Sequence, residues 1–247
     1  MSKSSKLCRK TSCPRSNIFC NLIDKIVKRP SLQFLGQWGY HCYEPRIYRT
    51  LAKILRKGNP DFVELLLKKT KDYVQDRSCN LALIWRTFTP VYCPSPLSGI
   101  TPLLYVAQTR QSNILKILLQ YGILEREKKP INIIITILLY PSRVRIMVDH
   151  EFVDIQEDAK TCLVLCSRVL SAISIREIET QLSLGRRPII SNWLDYIPST
   201  RYKDPCELLH LCRITIRAQL LTNNMLPNGI FSLLIPVRLQ NYLNLES

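Results

Sequence analysis

The stretch from Ser98 to Gly122 constrains this chain more than any other, because it specifies two short helices that cannot be stable alone. It reads Ser98-Gly99-Ile100-Thr101-Pro102-Leu103-Leu104-Tyr105-Val106-Ala107, then Gln111-Ser112-Asn113-Ile114-Leu115-Lys116-Ile117-Leu118-Leu119-Gln120-Tyr121-Gly122. Gly99 permits a tight turn, the Thr101 hydroxyl can cap a helix, and Pro102 suits the first helical position, where no amide hydrogen is needed. Leu103, Val106 and Ala107 then share an inward face. In the second helix Ile114, Leu115, Leu118 and Leu119 fall on one stripe, and Gly122 ends it in the left-handed conformation that glycine adopts at little cost. A pair of this size cannot bury its own apolar faces, so other helices of the chain must stack on it, and about three such units are needed for stability.

Further helical patterns supply candidates. Gly58-Asn59-Pro60-Asp61-Phe62-Val63-Glu64-Leu65-Leu66-Leu67 carries the same second-helix stripe, and Ile47 to Arg56 is helical in pattern but lacks a Thr-Pro-Leu opening. A third pair is expected from Ile131 to Phe152, broken at Pro141, with a further helix from Glu157 to Leu170. No paired alternating runs with Asn-Gly or Asp-Gly turns occur, so hairpins are not expected. The fold class expected is all-α. The Gly-x-Thr-Pro-Leu-x-x-Ala opening, the leucine-rich second helix and its terminal glycine resemble an ankyrin repeat, with Gly99, Thr101, Pro102, Leu103, Ala107, Leu118, Leu119 and Gly122 as its signature. Leu104 replaces the usual histidine, so the threonine–histidine bonds that tie neighbouring repeats are not available. The distance between the two second helices exceeds one repeat, which implies an insertion around Asn80 to Pro96.

Composition narrows the compartment and the chemistry. The longest apolar run, Ile131 to Tyr140, is about half the length of a membrane-crossing helix, and the basic, polar amino terminus has no apolar core of an export signal. Cytoplasm, nucleus or both are therefore expected, where the ten cysteines would be thiols. No two are spaced Cys-x2-Cys, so the usual zinc modules are not expected. Cys162 and Cys166 read as core residues, and Cys8, Cys13, Cys20, His41 and Cys42 match no metal-site template. The net charge of +16 is concentrated in residues 1 to 57, which carry thirteen Lys or Arg against Asp24 and Glu44. Such an arm is drawn to polyanions. A nucleic-acid-associated protein, or a scaffold acting through this arm, is the alternative reading. The arm's aromatics, however, cluster near Gly36 and Gly39 instead of interleaving with the basic residues. There is no phosphate-binding Gly-x4-Gly-Lys loop and no Gly-x-Ser-x-Gly elbow, so neither a catalytic residue nor a cofactor is expected.

The carboxyl-terminal stretch Asp204-Pro205-Cys206-Glu207-Leu208-Leu209-His210-Leu211-Cys212-Arg213-Ile214-Thr215-Ile216-Arg217 places two cysteines and a histidine within seven residues. Helical geometry separates them. At 100° per residue Leu208, Leu209, Leu211, Cys212, Ile216 and Leu220 share a broad apolar face, while Cys206, His210, Arg213 and Arg217 fall opposite. One ion could not bind both Cys212 and His210, and no metal site is expected. A turn at Leu226-Pro227-Asn228-Gly229 precedes Ile230 to Leu243.

This region resembles the suppressor-of-cytokine-signalling (SOCS) box. Leu208-Leu209-His210-Leu211-Cys212 and Ile216 match its Elongin-binding pattern, with Glu207 where a small residue is usual. Leu233, Ile235, Pro236, Leu239, Tyr242 and Leu243 match its cullin-binding pattern, with Leu234 in place of the first proline. Ankyrin repeats followed by this box resemble the ankyrin repeat and SOCS box family. The resemblance implies a basic region over 1–56, a short irregular ankyrin-repeat solenoid over 57–200, clearest over 98–127, and a three-helix box over 204–247. It also implies a non-catalytic substrate adaptor of a cullin-RING ubiquitin ligase. Its partners would be Elongin C at Leu208, Leu211, Cys212 and Ile216, Elongin B, Cullin-5 with its RING subunit, and a client protein. Relative to the family pattern, a stretch is missing between Arg56 and Lys57, where the first helix of the upstream repeat would belong.

Overall fold

A computed structural model describes residues 54–55, 57–75, 101–139, 149–184 and 188–246. The basic arm, Gly99, the Asn80 to Pro96 insertion, the Cys8 to Cys42 group and nearly all of the Ile47 to Arg56 pattern lie outside them. The described residues divide into two compact units, 54–75 in the first and 101–246 in the second.

In the first unit, α1 (Pro60–Gln75) starts as its sequence dictates. The Asn59 side-chain oxygen accepts hydrogen bonds from the amides of Asp61 (3.0 Å) and Phe62 (3.3 Å), and Pro60 needs no partner at the first position. Val63, Leu66 and Leu67 are buried on one stripe, and Ile54 and Leu55 are buried just upstream.

The second unit opens with α2 (Pro102–Thr109) and α3 (Ser112–Gln120). The Thr101 hydroxyl caps α2 by accepting from the Leu104 amide at 3.1 Å. Leu103, Val106 and Ala107 of α2, and Ile114, Leu115, Leu118 and Leu119 of α3, are buried. Gly122 takes a φ of 73° after α3. Next come α4 (Ile131–Leu138) and α5 (Asp149–Ser167), followed by α6 (Ile175–Ser183) and two 3-10 turns, Trp193–Tyr196 and Ser199–Arg201. The packing runs in two rows: α2 against α4 and α4 against α6 in one, α3 against α5 and α5 against the Trp193 turn in the other, with α2–α3 and α4–α5 closing each pair. Successive helix pairs thus stack like against like, as a solenoid of helical hairpins does. Apart from one bridge, Leu139 with Pro188, no strand pairing occurs among the described residues.

The expected break between Phe152 and Glu157 is corrected: α5 is one continuous helix. No proline or glycine lies between Asp149 and Ser167, so nothing in the backbone chemistry interrupts it. Cys162 and Cys166 lie buried on its inner stripe, and burial pushes the Cys162 thiol up to about 12 and Cys166 well above its ordinary value. Both remain protonated and serve as small apolar groups.

A different tie replaces the missing threonine–histidine bonds. Arg110, left-handed at φ 52° and 4% exposed, ends α2 and turns its guanidinium onto the next pair. It donates from Nε to the Ile137 carbonyl (3.0 Å) and from Nη2 to the Leu139 carbonyl (2.6 Å), at the carboxyl end of α4. The last carbonyls of a helix lack intrahelical donors and carry partial negative charge, so a cation there satisfies hydrogen bonding and dipole together. Arg110→Met strands both carbonyls, and we expect it to lower the unfolding free energy by about 2–4 kcal/mol in a denaturant titration, far beyond a typical surface change.

Candidate docking face of the carboxyl-terminal box

The last forty or so residues fold as α7 (Leu208–Thr222), the single-turn α8 (Asn228–Phe231) and α9 (Val237–Leu243). Leu220, Leu226, Ile230 and Leu243 form their shared core, with Ile216, Leu221, Leu233 and Ile235 packed against it. Gly229 allows the tight approach of α8, because a Cβ there would stand 2.6 Å from the Met225 Cβ.

The helical wheel separates the two faces of α7, and the structure turns the polar one inward. Over its first three turns the polar side is the buried one. His210 is 1%, Arg213 5% and Arg217 1% exposed, whereas Leu208 is 77%, Leu209 53% and Leu211 42% exposed, with Cys212 beside them. Ile216 is half-buried, and only by Leu220 does the apolar stripe turn fully inward.

What makes a polar face burial-competent is a supply of backbone carbonyls. Arg217 donates from Nη1 to the Leu243 carbonyl (3.0 Å), from Nη2 to the Leu119 carbonyl, and from Nε to the Glu125 carboxylate (2.9 Å), with Nη2 also 2.6 Å from that carboxylate. The end of α3, the end of α9 and the loop after α3 thus converge on one guanidinium. Arg213 donates to the Arg168 carbonyl (3.1 Å) past the end of α5 and lies 3.4 Å from the Tyr242 ring centroid, a cation–π contact. Burial pulls its pKa down to about 10, so it stays cationic at neutral pH. His210 shares its Nε2 with the Leu170 carbonyl at 3.0 Å; a carbonyl only accepts, so Nε2 carries the proton. At another contact between repeats and box, a Cβ on Gly122 would stand 2.5 Å from the Leu221 side chain, so that glycine is fixed by space as well as by its positive φ.

The residues that suggested metal are engaged elsewhere. His210 faces Leu170, the Cys206 sulfur accepts from Arg201 Nη1 at 3.4 Å, and Cys212 points outward. Among the described residues no group of three or more His, Cys, Asp or Glu could hold a metal ion.

The second motif of the box is divided between core and surface. Leu243 is buried in the box core, Leu233 and Ile235 are half-buried against it, and Tyr242 is half-buried on Arg213. Gln240 fixes the turn before α9 by donating to the Leu233 (3.0 Å) and Ile235 (3.3 Å) carbonyls. Pro236 and Leu239 are exposed, next to Phe231, Leu234 and Val237, none of which is a match to the motif. The inward arginines were not singled out from the sequence. The signal was there, in Arg213 and Arg217 one helical turn apart beside His210, but a basic stripe ordinarily signifies solvent.

Comparison with known proteins places this geometry. A model of the SOCS box matches residues 204–244. Over the whole chain, similarity extends to "Ankyrin repeat and SOCS box protein 17" of Canis lupus familiaris (81% identical) and of Mus musculus (77%), each alignment covering 100% of both chains over 295 positions. The Homo sapiens protein of that name is 75% identical over 294, again with 100% of both covered. A stack of helical hairpins ending in this box defines an adaptor, at family level a substrate adaptor of cullin-RING ubiquitin ligases. The chain belongs to the ankyrin repeat and SOCS box protein family. The alignments are longer than its 247 residues, so these relatives carry residues that it lacks. No solved structure matches it. Among the described residues no helix is long and apolar enough to cross a membrane.

Burial lowers the pKa of His210 below the ordinary imidazole value, and the nearby Arg201 and Arg213 add to that. The unfolded chain therefore binds the extra proton first, and the neutral ring's contribution is present above about pH 6.5 and lost as the pH falls below it. In urea titrations between pH 7.5 and 5, wild type should lose stability on acidification more steeply than His210→Gln; equal slopes would remove His210 from the explanation.

Proposed function

We propose that this chain is the substrate-recognition subunit of an Elongin B/C–cullin-RING ubiquitin ligase and presents a client protein through its helical repeats. The observation that carries the reading is the exposure of Leu208, Leu211 and Cys212 on a helix whose polar side is already used internally. Exposed leucines in register on a rigid helix are what an apolar groove of a partner recognises, and with the arginines turned inward that stripe is left uncovered among the described residues. Elongin C is the partner we assign to Leu208, Leu211, Cys212 and the half-buried Ile216, with Elongin B joined to it. For the cullin, Pro236 and Leu239 offer the accessible part of the second motif, while Leu233, Ile235, Tyr242 and Leu243 shape it from beneath. Cullin-5 with its RING subunit is the expected partner there.

The chain performs no bond chemistry in this scheme. Its contribution is proximity: a client held on one end and a loaded ubiquitin carrier on the other raise the effective concentration of lysine and thioester. We place the residues that the relatives carry and this chain lacks between Arg56 and Lys57. The box and its supports are all contained in the second unit and need none of them.

Co-expression with Elongins B and C should give a stoichiometric complex. Leu208→Ala should cost about 2 kcal/mol, roughly a thirtyfold weaker dissociation constant by titration calorimetry, as truncation of a buried anchor does. Unaltered affinity of Leu208→Ala together with Cys212→Phe would exclude this face. Pro236→Ala with Leu239→Asp should weaken cullin capture at least tenfold while Elongin affinity holds, since both side chains are exposed and neither supports the core. Parallel loss of the two partners in a pull-down would show that the box is not divided in this way.

A further inference from the structure

The helix that bears the exposed stripe begins without a side-chain cap. Glu207 occupies the N-cap position at φ −62°, ψ 138°, yet its carboxylate makes no bond to the first amides of α7. It turns back instead. One oxygen lies 2.6 Å from Arg201 Nη1 and the other accepts from the Thr200 hydroxyl at 2.9 Å. Arg201 is itself 7% exposed and anchored, donating from Nε to the Ser167 carbonyl (3.1 Å) at the end of α5 and from Nη1 to Thr200 Oγ1 (2.9 Å) and Cys206 Sγ (3.4 Å). The carbonyl of Arg201 accepts from the Ile173 amide at 2.8 Å, so this residue is held at both ends. One guanidinium therefore connects the last turn of α5 to the residue immediately before Leu208.

We infer that Arg201 is a positioning residue for partner docking: through Glu207 it fixes the first turn of α7, and with it the place from which Leu208 projects. The inference rests on the adaptor reading above. An uncapped first turn frays, and an anchor side chain on a fraying turn must be ordered when it binds, which subtracts from affinity. The pair supplies from outside the helix the restraint that a capping side chain would supply from within. It also accounts for a glutamate where the box pattern carries a small residue, since only a side chain of that reach and charge returns to Arg201. The guanidinium holds the Glu207 carboxyl down to about 2, so the connection is intact throughout the neutral range.

The test measures affinity for purified Elongin B/C heterodimer on the full chain, with Glu207→Gln, Arg201→Met, Leu208→Ala and the Glu207→Gln, Leu208→Ala double variant. Glu207→Gln leaves the Arg201 bond to Ser167 in place and so does not threaten the fold. It should weaken binding about three- to tenfold, with Arg201→Met at least as weak, and should speed exchange of the Leu211 amide, which closes the first turn onto the Glu207 carbonyl. In the Leu208→Ala background it should add nothing, because the side chain whose position it fixes is gone. Wild-type affinity of Glu207→Gln, or an equal loss in both backgrounds, would overturn the positioning role. So would a loss with Glu207→Gln that Arg201→Met does not share, which would mean that the carboxylate touches the partner directly. Failure of the wild-type chain to bind Elongin B/C would instead bring down the adaptor reading, and this inference with it.

Discussion

The carboxyl-terminal half of this molecule depends on the Arg217 guanidinium. Its nitrogens reach the Leu119 carbonyl that ends α3, the Leu243 carbonyl that ends α9 and the Glu125 carboxylate between them. A buried charge is costly unless an opposite charge or hydrogen bonds compensate it, and removing one partner of a buried ion pair typically costs about 3–5 kcal/mol. Here the pairing joins the α2–α3 hairpin to the box, so the electrostatic requirement of one side chain becomes a structural requirement of the whole arrangement.

The same device recurs along the chain. Arg110 takes the carbonyls at the end of α4, Arg201 the Ser167 carbonyl at the end of α5, and Arg213 the Arg168 carbonyl one residue further on. Helix carboxyl ends present unsatisfied acceptors in a field that favours cations, and a stack of short helices has many such ends. Arginine suits them because its planar fork serves several acceptors at once and stays charged when buried. In consequence the cohesion between successive elements is partly polar, and an apolar stripe on α7 is left exposed.

Much of this was legible in the residues. Thr101-Pro102 predicts a capped start, Gly122 a left-handed stop, and the 3.6-residue stripes of α1 and α3 their buried faces. The helical wheel likewise separates Cys212 from His210. Where the reading fell short, the reason is local. The α5 helix lacks a clear stripe around Phe152 to Glu157, so its continuity could be recognised only from the absence of a breaker. The α6 helix was not read from the sequence although its signal is present, Ile175, Ile178 and Leu182 at helical spacing behind the Ser174 cap; it is short, and of the three only Ile178 is fully buried. The substitute for the repeat-tying histidine is Arg110, outside the motif and effective only through carbonyls 27 and 29 residues away.

By itself the sequence determined that the chain is helical, that its repeats must stack, and that α7 has one apolar and one basic face, because backbone chemistry and periodicity act over a few neighbouring residues. Which of those faces looks inward was decided only by the tertiary structure. A hydrophobic stripe can bury itself against any apolar surface, but three cationic or polar side chains can be buried only where several distant helices deliver their free carbonyls to one place.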